Sequence, residues 1–252
     1  MSPPTGTPWL HCPRPVPSAR LRLYAFPYAG GGASVFFPWA PALAPEIEVC
    51  AVRLPGRETR LREPAFTSFS EAIGALEREI TPRLRPPYAL LGHSLGALIA
   101  FAFARALRQQ GAPPPAALVV AGARSPEIPK SETTIGHLPD AQLIVELRER
   151  YNGIPPAVLA HPELLSLVLP LLRADIRLYE DYRHAPAAPL PCPLAAFGGS
   201  LDPLVPPASI APWQAHTSGK FQSQIFEGDH FFLQSDAASV IQATKRFILN
   251  AV

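Results

Sequence analysis

The sequence predicts an α/β fold in which helices cover both faces of a mostly parallel sheet. Apolar runs of strand length alternate along the chain with longer segments of helical periodicity. Continuous apolar runs are typical of parallel strands that are buried on both faces. The chain has 252 residues, of which 48% are hydrophobic and 17% are charged. It can therefore bury a core of its own and fits one domain.

Each predicted element corresponds to a stretch of sequence. One helix is predicted over residues 70–80, because Ile73, Leu76 and Ile80 fall on one helical face. A second helix over residues 97–107 continues directly from a Gly-His-Ser-Leu-Gly segment. Both helices are expected to pack on the sheet. The predicted strands cover residues 21–26, 47–52, 88–91, 117–121, 194–197 and 223–226.

Composition and charge exclude several classes of function. The net charge is +2 without a basic run, so a nucleic-acid partner is not expected. No apolar run reaches about 18 residues, and the first residues lack a cationic start followed by an apolar stretch, so neither a membrane span nor export is expected. Cys12, Cys50 and Cys192 are odd in number and widely separated. This argues against a disulfide framework and a metal site, and favours a reducing cytoplasm.

A nucleophile is predicted at Ser94. Residues from Gly92 to Gly96 match G-x-S-x-G and lie between a predicted strand and a predicted helix, which is the context that the motif requires. The two glycines allow a sharp turn without a Cβ clash, so that the Ser94 hydroxyl can stand exposed above the sheet. Such a nucleophile elbow is typical of the α/β-hydrolase fold.

His230 is the predicted base that accepts the serine proton. A serine hydroxyl is a weak nucleophile, and in this fold the order along the chain is serine, acid, histidine. His230 follows the last predicted strand, where a loop can return it to Ser94. The other histidines lie within the elbow, before the core, in the middle of the chain or before the last strand: His93, His11, His137, His161, His184 and His216.

Asp202 is the predicted acid that orients His230. It follows the strand at residues 194–197 in a Gly-Gly-Ser-Leu-Asp-Pro turn, whereas the strand at residues 117–121 is followed by no acid before Glu127. Asp229 is a rival, but its side chain is expected to point away from the adjacent His230.

An oxyanion hole is predicted from two backbone N–H groups. The fold supplies one from the residue after the nucleophile, here Leu95, and a second from the loop after the strand at residues 21–26. That loop contains three consecutive glycines, which allow close approach of the backbone to a substrate. It lacks the glycine spacing and the lysine of phosphate-binding loops.

The segment from about residue 125 to residue 184 is predicted to be an insertion, because it has helical periods but no strand. Asp140 can cap a helix that ends near Asn152, and a second short helix begins at Pro162. Pro170 is expected to kink or break this second apolar segment. The insertion is either a helical lid over the active site or a structural cap.

Six short motifs occur along the chain: FPYAGGGAS (26–34), RLPGRE (53–58), GHSLGA (92–97), LRAD (172–175), FGGSLDP (197–203) and GDHFFL (228–233). Together they resemble, in family order and over nearly the whole chain, the type II thioesterases that accompany nonribosomal peptide and polyketide synthases. One departure is Asp229, where the family more often has glycine.

The resemblance implies a catalytic triad of Ser94, Asp202 and His230, with Ala29 and Leu95 in the oxyanion hole. It implies hydrolysis of acyl thioesters held on the phosphopantetheine arm of acyl or peptidyl carrier proteins, which removes stalled or misloaded chains. No cofactor or metal is expected, because the phosphopantetheine belongs to the substrate. The alternatives are a carboxylesterase or lipase with the same catalytic residues, and a non-catalytic binding protein that keeps the fold.

Overall fold

The computed structural model describes residues 7–130, 132–151 and 161–252. Within them, strands form one sheet in the order β1-β3-β2-β4-β5-β6-β7, in which β1 is antiparallel and the other pairs are parallel. The predicted α/β class is confirmed. The strands are β1 (Leu10–His11), β2 (Leu21–Phe26), β3 (Ile47–Val52), β4 (Tyr88–His93), β5 (Ala117–Ala121), β6 (Leu194–Gly199) and β7 (Phe221–Phe226).

Helices connect these strands and include both that the sequence predicts. The α-helices of the described residues are α1 (Trp39–Leu43), α2 (Phe69–Glu79), α3 (Leu95–Gln109), α4 (Asp140–Tyr151), α5 (Pro162–Asp181), α6 (Phe232–Ser235) and α7 (Ala237–Leu249). Short 3₁₀ turns lie at Ala33–Phe36, Glu58–Arg60, Thr81–Arg83, Pro207–Ser209 and Ala211–His216.

The hydrophobic core has one layer on each face of the sheet. Side chains alternate between the faces along a strand, so that Tyr24 and Phe26 of β2 point to one layer and Leu23 and Ala25 to the other. Helices α2 and α3 contribute to the first layer, and α1 and α7 to the second. The central strands are buried at every position, as their apolar runs predict.

The expectation that no disulfide forms is wrong for Cys12 and Cys50, which are bonded to each other. The short strand β1 pairs antiparallel with β3, with His11 opposite Ala51, and continuing this register places Cys12 opposite Cys50. Their Cα atoms are 4.3 Å apart. With Glu48 these sulfurs form a group of potential metal ligands among the described residues, but the disulfide occupies both sulfurs and Glu48 pairs with Arg22.

Helices α4 and α5 come from the segment predicted to be an insertion, and the structure corrects the prediction for α5. The predicted short helix and the predicted break are wrong, because α5 has 20 residues and continues through Pro170; the kink stays a prediction. A proline removes the hydrogen bond to the carbonyl four residues earlier, here that of Ser166. Both residues are exposed, so water can satisfy this carbonyl. Asn152, where α4 was predicted to end, lies outside the described residues.

The topology places the functional loops together. Strand β2 lies between β3 and β4, so the chain leaves β2 in one direction and returns on its other side. At such a reversal of strand order, the loops at the carboxyl ends of adjacent strands separate and leave a crevice for ligands. The glycine loop after β2 and the elbow after β4 flank this crevice.

No helix among the described residues is long and apolar enough to cross a membrane.

Candidate active site

Ser94 occupies a sharp turn between β4 and α3. Its φ of 56° and ψ of −119° lie in a region that L-residues rarely adopt, and strain of this kind concentrates at functional sites. Its N–H donates to the Ala121 carbonyl at 2.8 Å. A Cβ on Gly92 would lie 2.0 Å from the Gly96 oxygen, and a Cβ on Gly96 would lie 2.2 Å from the Phe26 oxygen. The motif therefore needs both glycines because backbone segments meet at the turn.

A chain of hydrogen bonds joins Ser94, His230 and Asp202. His230 Nε2 lies 2.8 Å from Ser94 Oγ, and His230 Nδ1 lies 2.6 Å from Asp202 Oδ2. The remaining Asp202 oxygen accepts from the N–H groups of Leu204 at 2.9 Å and Val205 at 3.0 Å. Burial opposes ionisation of Asp202, but the hydrogen bond from His230 and these N–H groups lower its pKa. A charged Asp202 can hold the imidazole in one orientation.

Asp229, the rival acid, makes a different contact. Its Oδ1 accepts from the N–H of Phe231 at 2.8 Å and so closes the turn that carries His230. Gly199 leaves room for this turn, because a Cβ there would lie 2.4 Å from the Asp229 carbonyl oxygen. The structure thus places Asp202, rather than Asp229, on the His230 ring.

The two predicted oxyanion donors border the same cavity as Ser94. Ala29, Ser94, Leu95 and His230 line a cavity of about 420 Å³. In the described part of the chain, no protein acceptor receives the N–H of Ala29 or of Leu95. The structure thus leaves both donors available at the cavity that holds the Ser94 hydroxyl.

The rest of the cavity wall comes mainly from the loop after β5 and from α5. Ile176 and Tyr179 of α5 contribute apolar surface, and Arg124, Lys130 and Glu180 contribute charge. Burial, together with the nearby charge of Arg183, lowers the pKa of Lys130 to about 8. These wall residues could not be singled out from the sequence, because they do not form a local motif.

His93, which precedes Ser94, is a buried neutral ring. Its Nε2 donates to the His230 carbonyl oxygen at 2.8 Å, and its Nδ1 has no hydrogen-bond partner among the described residues. Burial, and then the charge of nearby His230, lower the pKa of His93 to about 3. His93 therefore supports the loop of His230 without carrying charge.

We expect His93 to make the protein less stable in mild acid. The unfolded chain binds a proton at His93 below a pKa of 6.5, whereas the folded ring stays neutral down to about 3. Stability is therefore lost as the pH falls through this window, and at pH 4.5 the loss is about 3 kcal/mol. Urea unfolding of wild type and His93→Gln at pH 7 and 4.5 measures it. The variant should lose about 3 kcal/mol less than wild type between these pH values.

The exposed His137 supplies the control for this measurement. His137→Gln should keep the wild-type pH dependence. An equal pH dependence in wild type and His93→Gln would contradict the expected role of His93.

Comparison with known proteins identifies the family of this chain. A family model described as a thioesterase domain matches residues 21–248. The Gramicidin S biosynthesis protein GrsT of Aneurinibacillus migulanus is 42% identical over 225 residues, which cover 89% of this chain and 88% of the relative. Thioesterase PikA5 of Streptomyces venezuelae is 38% identical over 230 residues, which cover 89% of this chain and 80% of the relative.

Solved structures give the same result for the fold. The type II thioesterase BorB from the borrelidin biosynthetic cluster is 33% identical with a TM-score of 0.85, covering 96% of this chain and 97% of that one. ClbQ from the colibactin NRPS/PKS pathway is 31% identical with a TM-score of 0.86, covering 92% and 98%. The resemblance seen in the sequence is confirmed: the chain has the α/β-hydrolase fold and belongs to the thioesterase domain family, together with type II thioesterases of nonribosomal peptide and polyketide pathways.

Proposed function

We propose that this chain hydrolyses acyl thioesters on the phosphopantetheine arm of acyl or peptidyl carrier proteins and so removes stalled or misloaded acyl groups. Ser94 is the nucleophile, His230 the general base and Asp202 the acid that orients it. The observation that carries the proposal is the continuous chain of hydrogen bonds from Asp202 through His230 to Ser94, at 2.6 Å and 2.8 Å, beside a cavity of about 420 Å³. The type II thioesterases among the relatives support the choice of substrate.

The proposed reaction has two halves. Ser94 Oγ attacks the thioester carbonyl while its proton passes to His230 Nε2, and the N–H groups of Ala29 and Leu95 stabilise the resulting oxyanion. The tetrahedral intermediate collapses and breaks the C–S bond, and the pantetheine thiol leaves with the proton from His230. Water then attacks the acyl-serine with His230 as base, which releases the acid and restores the Ser94 hydroxyl.

No resident cofactor or metal takes part in the proposed reaction, because the pantetheine arm arrives with the substrate. The mixed cavity wall suits such a ligand: Ile176 and Tyr179 can contact an acyl chain, and charged groups such as Lys130 can face polar parts of the arm. We place the reaction in the cytoplasm. The expectation of a cytoplasmic location was based partly on the cysteines, and the Cys12–Cys50 disulfide removes that support. The proposed location therefore depends on the proposed carrier-protein partner.

The test compares three substrates that carry one acyl group: a phosphopantetheinylated carrier protein, coenzyme A and a matched oxygen ester. We expect kcat/KM to be at least about tenfold higher on the carrier than on coenzyme A, because contacts with the carrier surface add binding energy remote from the carbonyl. Equal efficiency on the two thioesters would remove carrier recognition.

The same assay separates the alternative functions. Preference for the oxygen ester would indicate a carboxylesterase, and absence of both hydrolysis and labelling by a fluorophosphonate probe would indicate a binding protein.

The editing role is tested by a separate measurement. A synthetase whose carrier arms are blocked with acetyl groups should regain product formation when this protein is added, and no recovery would contradict editing.

A further inference from the structure

Two sequence motifs that the triad does not use meet in the structure. Arg57 follows β3 in RLPGRE, and Asp175 lies in α5 in LRAD. Arg57 Nη2 donates to Asp175 Oδ1 at 2.8 Å, and Arg57 Nη1 donates to Asp175 Oδ2 at 3.0 Å. Their side chains are 4% and 1% exposed. The result is a bidentate ion pair, almost fully buried, between residues that are 118 positions apart in the chain.

This ion pair holds the glycine loop after β2, residues 27–34, which we call the oxyanion loop. Asp175 Oδ2 accepts from the N–H of Gly30 at 2.6 Å, and Arg57 Nη1 donates to the carbonyl of Gly31 at 2.9 Å. Gly30 has a φ of +78°, and a Cβ there would lie 2.4 Å from Leu172 Cδ2 of α5. Helix α5 therefore packs directly against this loop.

The contacts fix the backbone on both sides of the Ala29 N–H. That N–H belongs to the same planar peptide unit as the Tyr28 carbonyl, which accepts from the N–H of Gly31 at 2.9 Å. The next N–H along the chain, that of Gly30, is bonded to Asp175. Rotation of the Tyr28–Ala29 peptide would disrupt this arrangement, so the direction of the Ala29 N–H depends on the buried pair.

A second carboxylate holds the far end of the loop. Glu58 Oε1 accepts from the N–H of Ser34 at 3.0 Å, and Arg53 donates to Glu58 Oε2 at 2.8 Å. The Arg53–Glu58 pair is more exposed than the Arg57–Asp175 pair. The N–H that it holds, that of Ser34, is also farther along the chain from Ala29 than the N–H of Gly30. The first pair is therefore the stronger candidate for control of the donor.

We propose that Asp175 and Arg57 are positioning residues, which aim the Ala29 N–H at the oxyanion and join α5 to the oxyanion hole. The proposal rests on the proposed function, since it takes the triad and Ala29 in the roles given there. Burial of a charged pair costs desolvation free energy, so its presence under a loop is consistent with a need for defined geometry. An oxyanion donor stabilises the transition state only when it is already in position. The distance from α5 to the hole is thus set by one carboxylate.

The test uses Asp175→Asn, which keeps the side-chain volume but turns an N–H donor toward either Gly30 or Arg57. Kinetics are measured on a p-nitrophenyl ester, so that carrier recognition plays no part, and active sites are counted by complete labelling with a fluorophosphonate. A trifluoromethyl ketone, which forms a tetrahedral oxyanion on the serine, reports on the hole itself. We expect kcat per labelled site to fall about 10-fold to 100-fold and the inhibition constant of the ketone to rise in parallel, because a displaced donor loses part of the stabilisation of the oxyanion. KM should change less than about threefold, since the donor acts mainly in the transition state.

Two controls separate positioning from stability. The double variant Arg57→Met/Asp175→Leu replaces the pair by apolar side chains of similar size, a change that is often neutral or stabilising in other buried pairs. It leaves no unpaired buried charge, although the Gly30 N–H and the Gly31 carbonyl lose their partners. It should therefore unfold at a higher urea concentration than Asp175→Asn and still have the low kcat. Glu48→Gln breaks the buried pair with Arg22 at the opposite end of β2; it should lower stability and leave kcat unchanged.

Wild-type kcat and wild-type affinity for the ketone in Asp175→Asn would overturn the proposal, as would recovery of kcat together with stability in the double variant. If Asp175→Asn does not fold, the double variant alone decides between these outcomes. Failure of the proposed function is distinct in both of its forms: a binding protein would hydrolyse no ester and bind no fluorophosphonate as wild type, whereas a carboxylesterase would prefer the oxygen ester to the carrier thioester and would leave the effects of these variants on the p-nitrophenyl ester as expected.

Discussion

Ser94→Ala is expected to reduce turnover by on the order of 10³-fold or more while the protein remains folded. The hydroxyl contacts His230 Nε2 at 2.8 Å, and alanine removes the atom that would form the acyl-enzyme. The unusual φ of 56° is imposed by the turn and not by the hydroxyl, so alanine has to adopt it just as serine does. The measurements are kcat/KM on an acyl thioester and the free energy of unfolding.

Ser200→Ala is the matched control, because Ser200 is an exposed serine in the turn after β6. It should retain wild-type turnover. Activity of Ser94→Ala within about tenfold of wild type, in protein free of contaminating hydrolase, would mean that Ser94 is not the nucleophile.

The central strands could be predicted because burial on both faces requires continuous apolar runs, which the sequence displays directly. Strand β7 was harder, since it lies at the edge of the sheet and carries polar residues such as Gln222 and Gln224. Its start was predicted two residues late, at 223 instead of Phe221. Strand β1 has two residues, too few for any periodicity, and without it the pairing of Cys12 with Cys50 could not be foreseen.

The prediction of a break at Pro170 was wrong for a related reason. A proline inside a helix loses a hydrogen bond and crowds the carbonyl four residues earlier, and water at an exposed carbonyl reduces the cost of the lost hydrogen bond. Pro170 and Ser166 face solvent, and buried residues such as Leu169 and Leu172 hold the helix together by packing against α4. Exposure at a given turn is a tertiary property that the local sequence does not reveal.

Ser94, His230 and Asp202, which the structure joins by hydrogen bonds, could be selected from the sequence because the fold fixes their order and each follows a strand. The buried pair that holds the oxyanion loop could not be predicted in this way. Arg57 and Asp175 were visible within motifs, but their contact joins segments far apart in the chain, and nothing in either motif names the other. The burial of His93 was likewise hidden, since a histidine within the elbow can face either solvent or the core.

Asp202→Asn is expected to reduce kcat by roughly 10³-fold to 10⁴-fold, and the geometry gives the reason. The N–H groups of Leu204 and Val205 both donate to Asp202 Oδ1, so an asparagine keeps its oxygen there and turns its NH₂ toward His230. That NH₂ favours the imidazole with its proton on Nε2, which cannot accept the proton of Ser94. The measurement is kcat on an acyl thioester.

Asp229→Asn is the matched comparison, because it makes the same chemical change one residue from His230. Its oxygen can still accept from the N–H of Phe231, so the turn should persist and kcat should stay within about tenfold of wild type. The ratio of the two losses identifies the acid of the triad, since both variants remove one carboxylate near the same histidine. A larger loss in Asp229→Asn than in Asp202→Asn would assign the acid to Asp229 and would mean that the hydrogen bond between His230 Nδ1 and Asp202 Oδ2 has no catalytic role.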